Sequence, residues 1–179
     1  MPVDLNARYN NAWFEVNTRL ALRQNAISVY AILMSFVTAG MGLTGAGGAP
    51  IARWIAFLVP LLSLLFALLV FMHDRIMSNL CHFIRECEQL GNGGTTPLPN
   101  YLSDARWRQH DDRIRVCHHL VCAALIVVFN VFAFLAAQGA HPDLFSSNSA
   151  LMWSQLVLAL AATLIVLSTM KPSKKGEVA

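Results

Sequence analysis

The sequence predicts an all-α membrane protein with four transmembrane helices, arranged as two hairpins with amphipathic cytoplasmic helices. Of the 179 residues, 56% are hydrophobic and only 13% are charged, whereas about 25% of the residues in a soluble domain are charged. The apolar residues form four blocks of roughly 20 residues, the length that an α-helix needs to cross ~30 Å of hydrocarbon. The four blocks are 25–43, 54–72, 119–137 and 150–170.

The predicted elements follow from two helical stripes and the positions of these blocks. Apolar residues recur every three or four positions from Leu5 to Leu20, which indicates one face of an amphipathic helix. A second stripe, from Ile76 to Leu90, indicates that the helix of the second span continues into the cytoplasm until Gly91. The predicted segments are a cytoplasmic amphipathic helix at 1–23, a first transmembrane hairpin at 24–72, a cytoplasmic helical insert at 73–118, a second transmembrane hairpin at 119–170 and a basic cytoplasmic tail at 171–179.

The distribution of lysine and arginine predicts the orientation. These residues are concentrated before the first block, between the second and third blocks, and after the fourth block. The two short connections inside the hairpins contain only one lysine or arginine, Arg53. Because positive charges remain on the cytoplasmic side, we expect a multi-pass protein of the bacterial inner (cell) membrane with both termini cytoplasmic. The expected binding partner is then the lipid bilayer.

The stretch RWRQHDDRIRVCHH, at 106–119, is the best candidate for chemistry. Its HDD resembles a fragment of a metal-dependent hydrolase signature, but such a site needs ligands from several helices of a soluble domain. Arg113 and His118 have the spacing of RNA-cleaving HEPN domains, which chance also produces in a chain rich in these residues. A zinc site is also disfavoured, because the sequence lacks the compact Cys-x2-Cys spacing that tetrahedral zinc sites prefer. The residues considered for zinc are Cys81, His82, Cys87, Cys117, His118 and Cys122.

We therefore expect no catalytic residue, no metal, no cofactor and no enzymatic activity. The arginines of this stretch precede a membrane block, so they fix topology against anionic lipid. They are also the candidate ligand or gating contacts, because a phosphate-bearing signal needs cations and hydrogen-bond donors. These residues are Arg106, Arg108, Arg113 and Arg115.

The interiors of the four blocks contain no Asp, Glu, Lys or Arg. Proton relays and ion-coupled transporters usually need such residues, so their absence argues against that class. Ser35 and Thr38 in the first block, and Asn130 in the third, are candidates for lining a pore or for packing between helices. The sequence leaves these two roles open.

The two halves of the chain share a short pattern. The spacing between Trp13 and Arg19 is the same as that between Trp107 and Arg113. An apolar residue follows the arginine in both cases. A tandem pair of two-span units would explain this pattern, and so would chance matching of a few positions.

The arrangement resembles the SLATT-type and four-transmembrane effector membrane proteins of bacterial defence systems. The resemblance rests on RYNNAWFEVNTRLALRQ before a two-span hairpin and on HDRIMSNLCHFIRECEQL behind it. It implies an oligomeric assembly whose spans form a pore or disrupt the bilayer when a cytoplasmic signal arrives. In that family the signal is a nucleotide second messenger or an activated partner protein.

The leading hypothesis is therefore a homo-oligomeric inner-membrane pore or membrane-depolarising effector, gated from the cytoplasmic side and acting in antiphage defence. The alternative is a non-channel membrane subunit that docks and regulates a soluble cytoplasmic partner.

Overall fold

The computed structural model describes residues 5–44, 50–91, 105–140 and 150–170. These residues form four helices and contain no strand. The predicted all-α class is therefore confirmed for the described part of the chain. The predicted tail at 171–179 lies outside the described residues. The helices are α1 (Leu5–Thr44), α2 (Pro50–Gly91), α3 (Ala105–Ala140) and α4 (Ala150–Ser168).

Three of the helices are long and apolar enough to cross a membrane. The qualifying stretches are Asn6–Gly40, Leu58–Gln89 and Arg113–Gly139, and Met152–Ser168 in α4 is a shorter apolar helix. Much of the outer surface is also apolar, with Phe36 73% and Phe132 64% exposed. Contiguous apolar surface of this kind suits a lipid environment. Length, composition and surface together indicate a membrane protein.

α2 contacts each of the other three helices, and the residue pairs that meet show that it runs antiparallel to both α1 and α3. Their shared core is built from aliphatic and aromatic side chains of all four helices. Tyr30 of α1 stacks on Phe66 of α2 with ring centroids 4.2 Å apart, and the edge of Phe129 of α3 meets it at 5.9 Å. The core also contains Met34, Val59, Val70, Ile126 and Val166, all of which are fully buried.

Beyond this core, α1 and α2 continue side by side as an antiparallel pair, here called the stalk (5–22 and 75–91). Ala12, Val16 and Ile84 form its buried seam. Farther from the core, the Tyr9 hydroxyl donates a hydrogen bond to Glu88 Oε1 at 3.5 Å. Arg23 at its base is 18 positions after Leu5, so the stalk is about 27 Å long at 1.5 Å per residue.

Two features of the sequence interpretation can be compared with the stalk. The continuous helix from the second apolar block to Gly91 is confirmed, because α2 runs unbroken from Pro50 and through Pro60. The predicted stripe consists of Ile76, Leu80, Phe83, Cys87 and Leu90, and Cys87 is buried as expected. Phe83, however, is 37% exposed, and the neighbouring Ile84 is fully buried in its place.

Candidate functional site: a polar junction and an inner triad

Four polar side chains meet where the stalk joins the four-helix core. Arg23 belongs to α1, Asp74 to α2 and His119 to α3, and Thr169 directly follows α4. We call this group the polar junction. It exists because the helices alternate in direction, which brings the start of two apolar blocks and the end of two others to one level.

Asp74 is the centre of the junction. Its Oδ1 lies 3.4 Å from His119 Nε2 and 3.9 Å from Arg23 Nη1. On the other side of the imidazole, His119 Nδ1 lies 3.2 Å from Thr169 Oγ1. One carboxylate oxygen therefore connects α1, α2 and α3, and the imidazole extends the connection to the end of α4.

The hydrogen-bond directions follow from counting protons. Thr169 has one hydroxyl proton, and it is donated to the carbonyl oxygen of Val166. His119 Nδ1 must then be the donor to Thr169 Oγ1. His119 Nε2 lies beside the Asp74 carboxylate, without hydrogen-bond geometry.

The junction is buried although it contains ions. His119 is completely buried, and the side chains of Arg23 and Asp74 are only 8% and 13% exposed. Removing ions from water is costly unless each has a partner of opposite charge. The Asp74 carboxylate supplies this partner to the Arg23 guanidinium, and Arg115 adds its own positive charge nearby. The junction therefore favours the arrangement in which α1, α2 and α3 stay together.

The second polar group, which we call the inner triad, lies inside the core. The hydroxyls of Tyr30 and Ser63 are 2.8 Å apart, and Asn130 Nδ2 donates to Ser63 Oγ at 2.7 Å. Ser63 also donates to the carbonyl oxygen of Val59, one helical turn earlier. The triad therefore links α1, α2 and α3 by hydrogen bonds inside the core.

The candidate pore or packing residues have different positions. Asn130 belongs to the inner triad and is half-buried. Ser35 is exposed, and its hydroxyl donates to the carbonyl oxygen of Ala31 at 2.8 Å. Thr38 is half-buried and donates to the carbonyl oxygen of Met34 at 2.8 Å. Only Asn130 reaches another helix through its polar atoms.

The four candidate gating arginines all belong to α3, below the junction. Arg113 is exposed and Arg115 is half-buried. Arg106 and Arg108 are in the same helix, but their side chains lie outside the described residues. Arg115 is one turn before His119, which places it at the edge of the polar junction.

The cysteines and histidines do not form a metal cluster in the described part of the chain. Cys122 Sγ lies 3.9 Å from the ring nitrogens of His118, one turn away on α3. His82 forms a separate exposed pair with Glu86 at 3.2 Å. All four cysteines are free thiols.

Sequence reasoning missed the polar junction. Its members stood at the edges of the predicted blocks: Arg23 and Asp74 two positions outside a block, His119 at the start of one and Thr169 near the end of another. The signal was available, because antiparallel helices bring these four edges to the same end of the helical core. The sequence interpretation used Arg23 only as a determinant of topology.

Comparison with known proteins adds no relative: no family model, no curated protein and no solved structure matches the chain.

Proposed function

We propose that this protein is a homo-oligomeric pore, or membrane-depolarising effector, of the bacterial inner membrane, gated from the cytoplasmic side. The observation that carries the proposal is the continuity of α1 and α2 from the stalk into the core, with the polar junction at the boundary. A displacement at the stalk would reach the spans without an intervening hinge. Antiphage defence is the role that the sequence resemblance favours.

The proposed topology has four spans in two hairpins, with the stalk and both termini in the cytoplasm. For α4, 19 residues rise about 28 Å, close to the ~30 Å of a hydrocarbon core. Its end at Thr169 meets His119, so the polar junction would lie at the cytoplasmic surface of the bilayer. The arginines of α3 would then face lipid headgroups or a soluble signal.

Within one chain, the polar atoms of the inner triad bond to one another inside the core. A pore would therefore form between copies. The exposed surface of α1 favours this, since it is divided into two sectors at 100° per residue. One sector holds large apolar side chains such as Val29 and Phe36. The other holds small or polar residues that are exposed or half-buried: Gln24, Ser28, Ala31, Ser35 and Ala39.

This second sector suits close helix packing in a membrane or the wall of a pore. Small residues let helix backbones approach, and helices in lipid associate through such surfaces. A ring of copies would turn the polar sector of α1 inward and leave the apolar sector to lipid.

The pore is tested by ion flux from vesicles that contain the full chain. Ser35→Leu should abolish the flux and lower the mass of the complex, because leucine blocks close approach in the polar sector. Phe36→Leu is the matched control, one residue along on the apolar sector, and should keep both. Equal flux from the two variants would contradict the proposed pore wall.

The gate is tested by replacing Arg106, Arg108, Arg113 and Arg115 together with Gln. We expect altered flux with a retained four-span topology, because the remaining cytoplasmic Lys and Arg residues still orient the chain. If this variant kept both its topology and its wild-type flux, the arginines would not be the gate.

One observation favours the second candidate function, a non-channel subunit that docks a soluble cytoplasmic partner. Phe14 of the stalk is 73% exposed, although the proposed topology places it outside the membrane. Exposed aromatic side chains are frequent anchors at protein interfaces. A partner that co-purifies with the wild-type chain but not with Phe14→Ala, with no ion flux from either, would establish this function.

A further inference from the structure

A cavity of about 460 Å³, open to the outer surface of the helices, lies between α2, α3 and α4. Its volume falls within the ~300–1,000 Å³ range of ligand pockets. The wall is mostly apolar, with polar contributions from only three side chains. The residues that line it are Pro60, Val127, Asn130, Val131, Ala133, Phe134, Gln155, Leu156, Ala159, Leu160 and Thr163.

The cavity lies at the middle depth of the helical core. Counting from the polar junction, Thr163 is about 9 Å along α4 from Thr169, and Gln155 is about 21 Å, at 1.5 Å per residue. Asn130 is about 16 Å along α3 from His119 on the same scale. If the junction marks one surface of the hydrocarbon, the cavity faces the centre of the bilayer.

Two of the three polar side chains already direct their protons to the protein. Asn130 Nδ2 donates to Ser63 Oγ at 2.7 Å and to the carbonyl oxygen of Ile126 at 2.8 Å. The Thr163 hydroxyl donates to the carbonyl oxygen of Ala159 at 2.9 Å. These groups therefore need no polar ligand, and the wall is suited to an apolar one.

Something must fill this volume. Wall atoms that face an unfilled part of the cavity lose their dispersion contacts. A buried water needs two to four polar partners, and several waters would be required here. At this depth of a membrane the surrounding medium is hydrocarbon. We propose that an acyl chain of a bilayer phospholipid occupies the cavity as a resident lipid, wedged between α3 and α4.

The probe is a phosphatidylcholine with a diazirine near the end of one acyl chain, added to vesicles of phosphatidylcholine and phosphatidylglycerol. The full chain is reconstituted, extracted into mild detergent, freed of loose lipid and then irradiated. Labelled residues are mapped by mass spectrometry. A resident acyl chain should label residues of the cavity wall several-fold more than lipid-facing residues of equal exposure.

The structure supplies such a comparison. Val131 and Leu160 line the cavity and are 51% and 54% exposed, while Val128 and Leu135 lie outside it and are 57% and 59% exposed. Exposure alone predicts similar labelling of the two pairs. If the two pairs were labelled equally after removal of loose lipid, the proposal would be overturned.

A pair of variants gives an independent test. Ala159→Phe fills the cavity and should remove most of the retained label. Ala124→Phe makes the same change at an exposed position of α3 and should keep the label. Native mass spectrometry of the unmodified chain needs no variant and should show a bound phospholipid mass. Its absence would overturn the proposal, as would disulfide crosslinking of two Ala159→Cys copies, which would assign the cavity to a second copy.

Discussion

Asp74→Asn is the most informative single change, because Asp74 is the common partner of Arg23 and His119. The substitution preserves size but removes the negative charge, so the buried Arg23 guanidinium loses its counter-ion. At 3.9 Å and an effective dielectric constant of ~20, two unit charges attract by about 4 kcal/mol. Asparagine retains an oxygen acceptor, which offsets part of this loss. We expect the free energy of unfolding to fall by about 3 kcal/mol, at the low end for breaking a buried pair.

Glu15→Gln is the matched control. It removes a carboxylate from an ion pair with Arg19 that is shorter, at 2.7 Å, but whose side chains are 31% and 39% exposed. Exposed pairs of this kind contribute only about 0.3–0.5 kcal/mol. Burial, rather than distance, is therefore expected to decide the difference between the two variants.

The assay is an unfolding titration in mixed micelles with a denaturing detergent, followed by tryptophan fluorescence. The double variant R23Q/D74N should recover part of the loss, because neither charge is then left buried alone. Equal losses for Asp74→Asn and Glu15→Gln would refute the reasoning, since they would mean that the junction is solvated.

The remaining predictions concern the stalk, the inner triad and the topology. Ile84→Ala should lower the free energy of unfolding by about 2–4 kcal/mol, since it empties the fully buried stalk seam. Phe14→Ala, at a 73% exposed position, should change it by less than about 0.5 kcal/mol, and similar losses for both would show that the seam is elsewhere. Tyr30→Phe should cost about 0.6 kcal/mol, the mean for hydrogen bonds between membrane helices, and a loss well above ~1.7 kcal/mol would assign the hydroxyl a larger role than packing. In a variant whose only cysteine is the exposed Cys117, a membrane-impermeant maleimide should react in inverted vesicles and not in intact cells; the reverse pattern would invert the proposed topology.

The helical elements were predictable because hydrophobic length is a local property of the sequence. An apolar run of about 20 residues can satisfy its backbone in lipid only as a helix or a closed barrel. The continuation of α2 to Gly91 was predictable for the same reason, since no Gly or Pro interrupts the chain after Pro60. Periodicity was less reliable for the stalk, because neighbouring positions such as Phe83 and Ile84 both fit a helical stripe.

The polar junction depends on how helices align across the bundle, which composition does not reveal. Arg23 and Asp74 are separated by 50 intervening residues in the chain, and their pairing follows from the register between α1 and α2. That register is set by the antiparallel packing, in which Tyr30 meets Ser63 and Tyr9 meets Glu88. The histidine at the start of the third block could have been recognised as a partner for a carboxylate at the same level.

The mass of the complex in native nanodiscs distinguishes a pore between copies from a protein that acts as a monomer or dimer. A pore between copies requires a closed ring in which several α1 helices turn their polar sectors inward. We expect a single defined assembly of several copies, which Ser35→Leu reduces and Phe36→Leu preserves. A monomer or dimer that persists on dilution would contradict the pore, since too few helices would be present to enclose water.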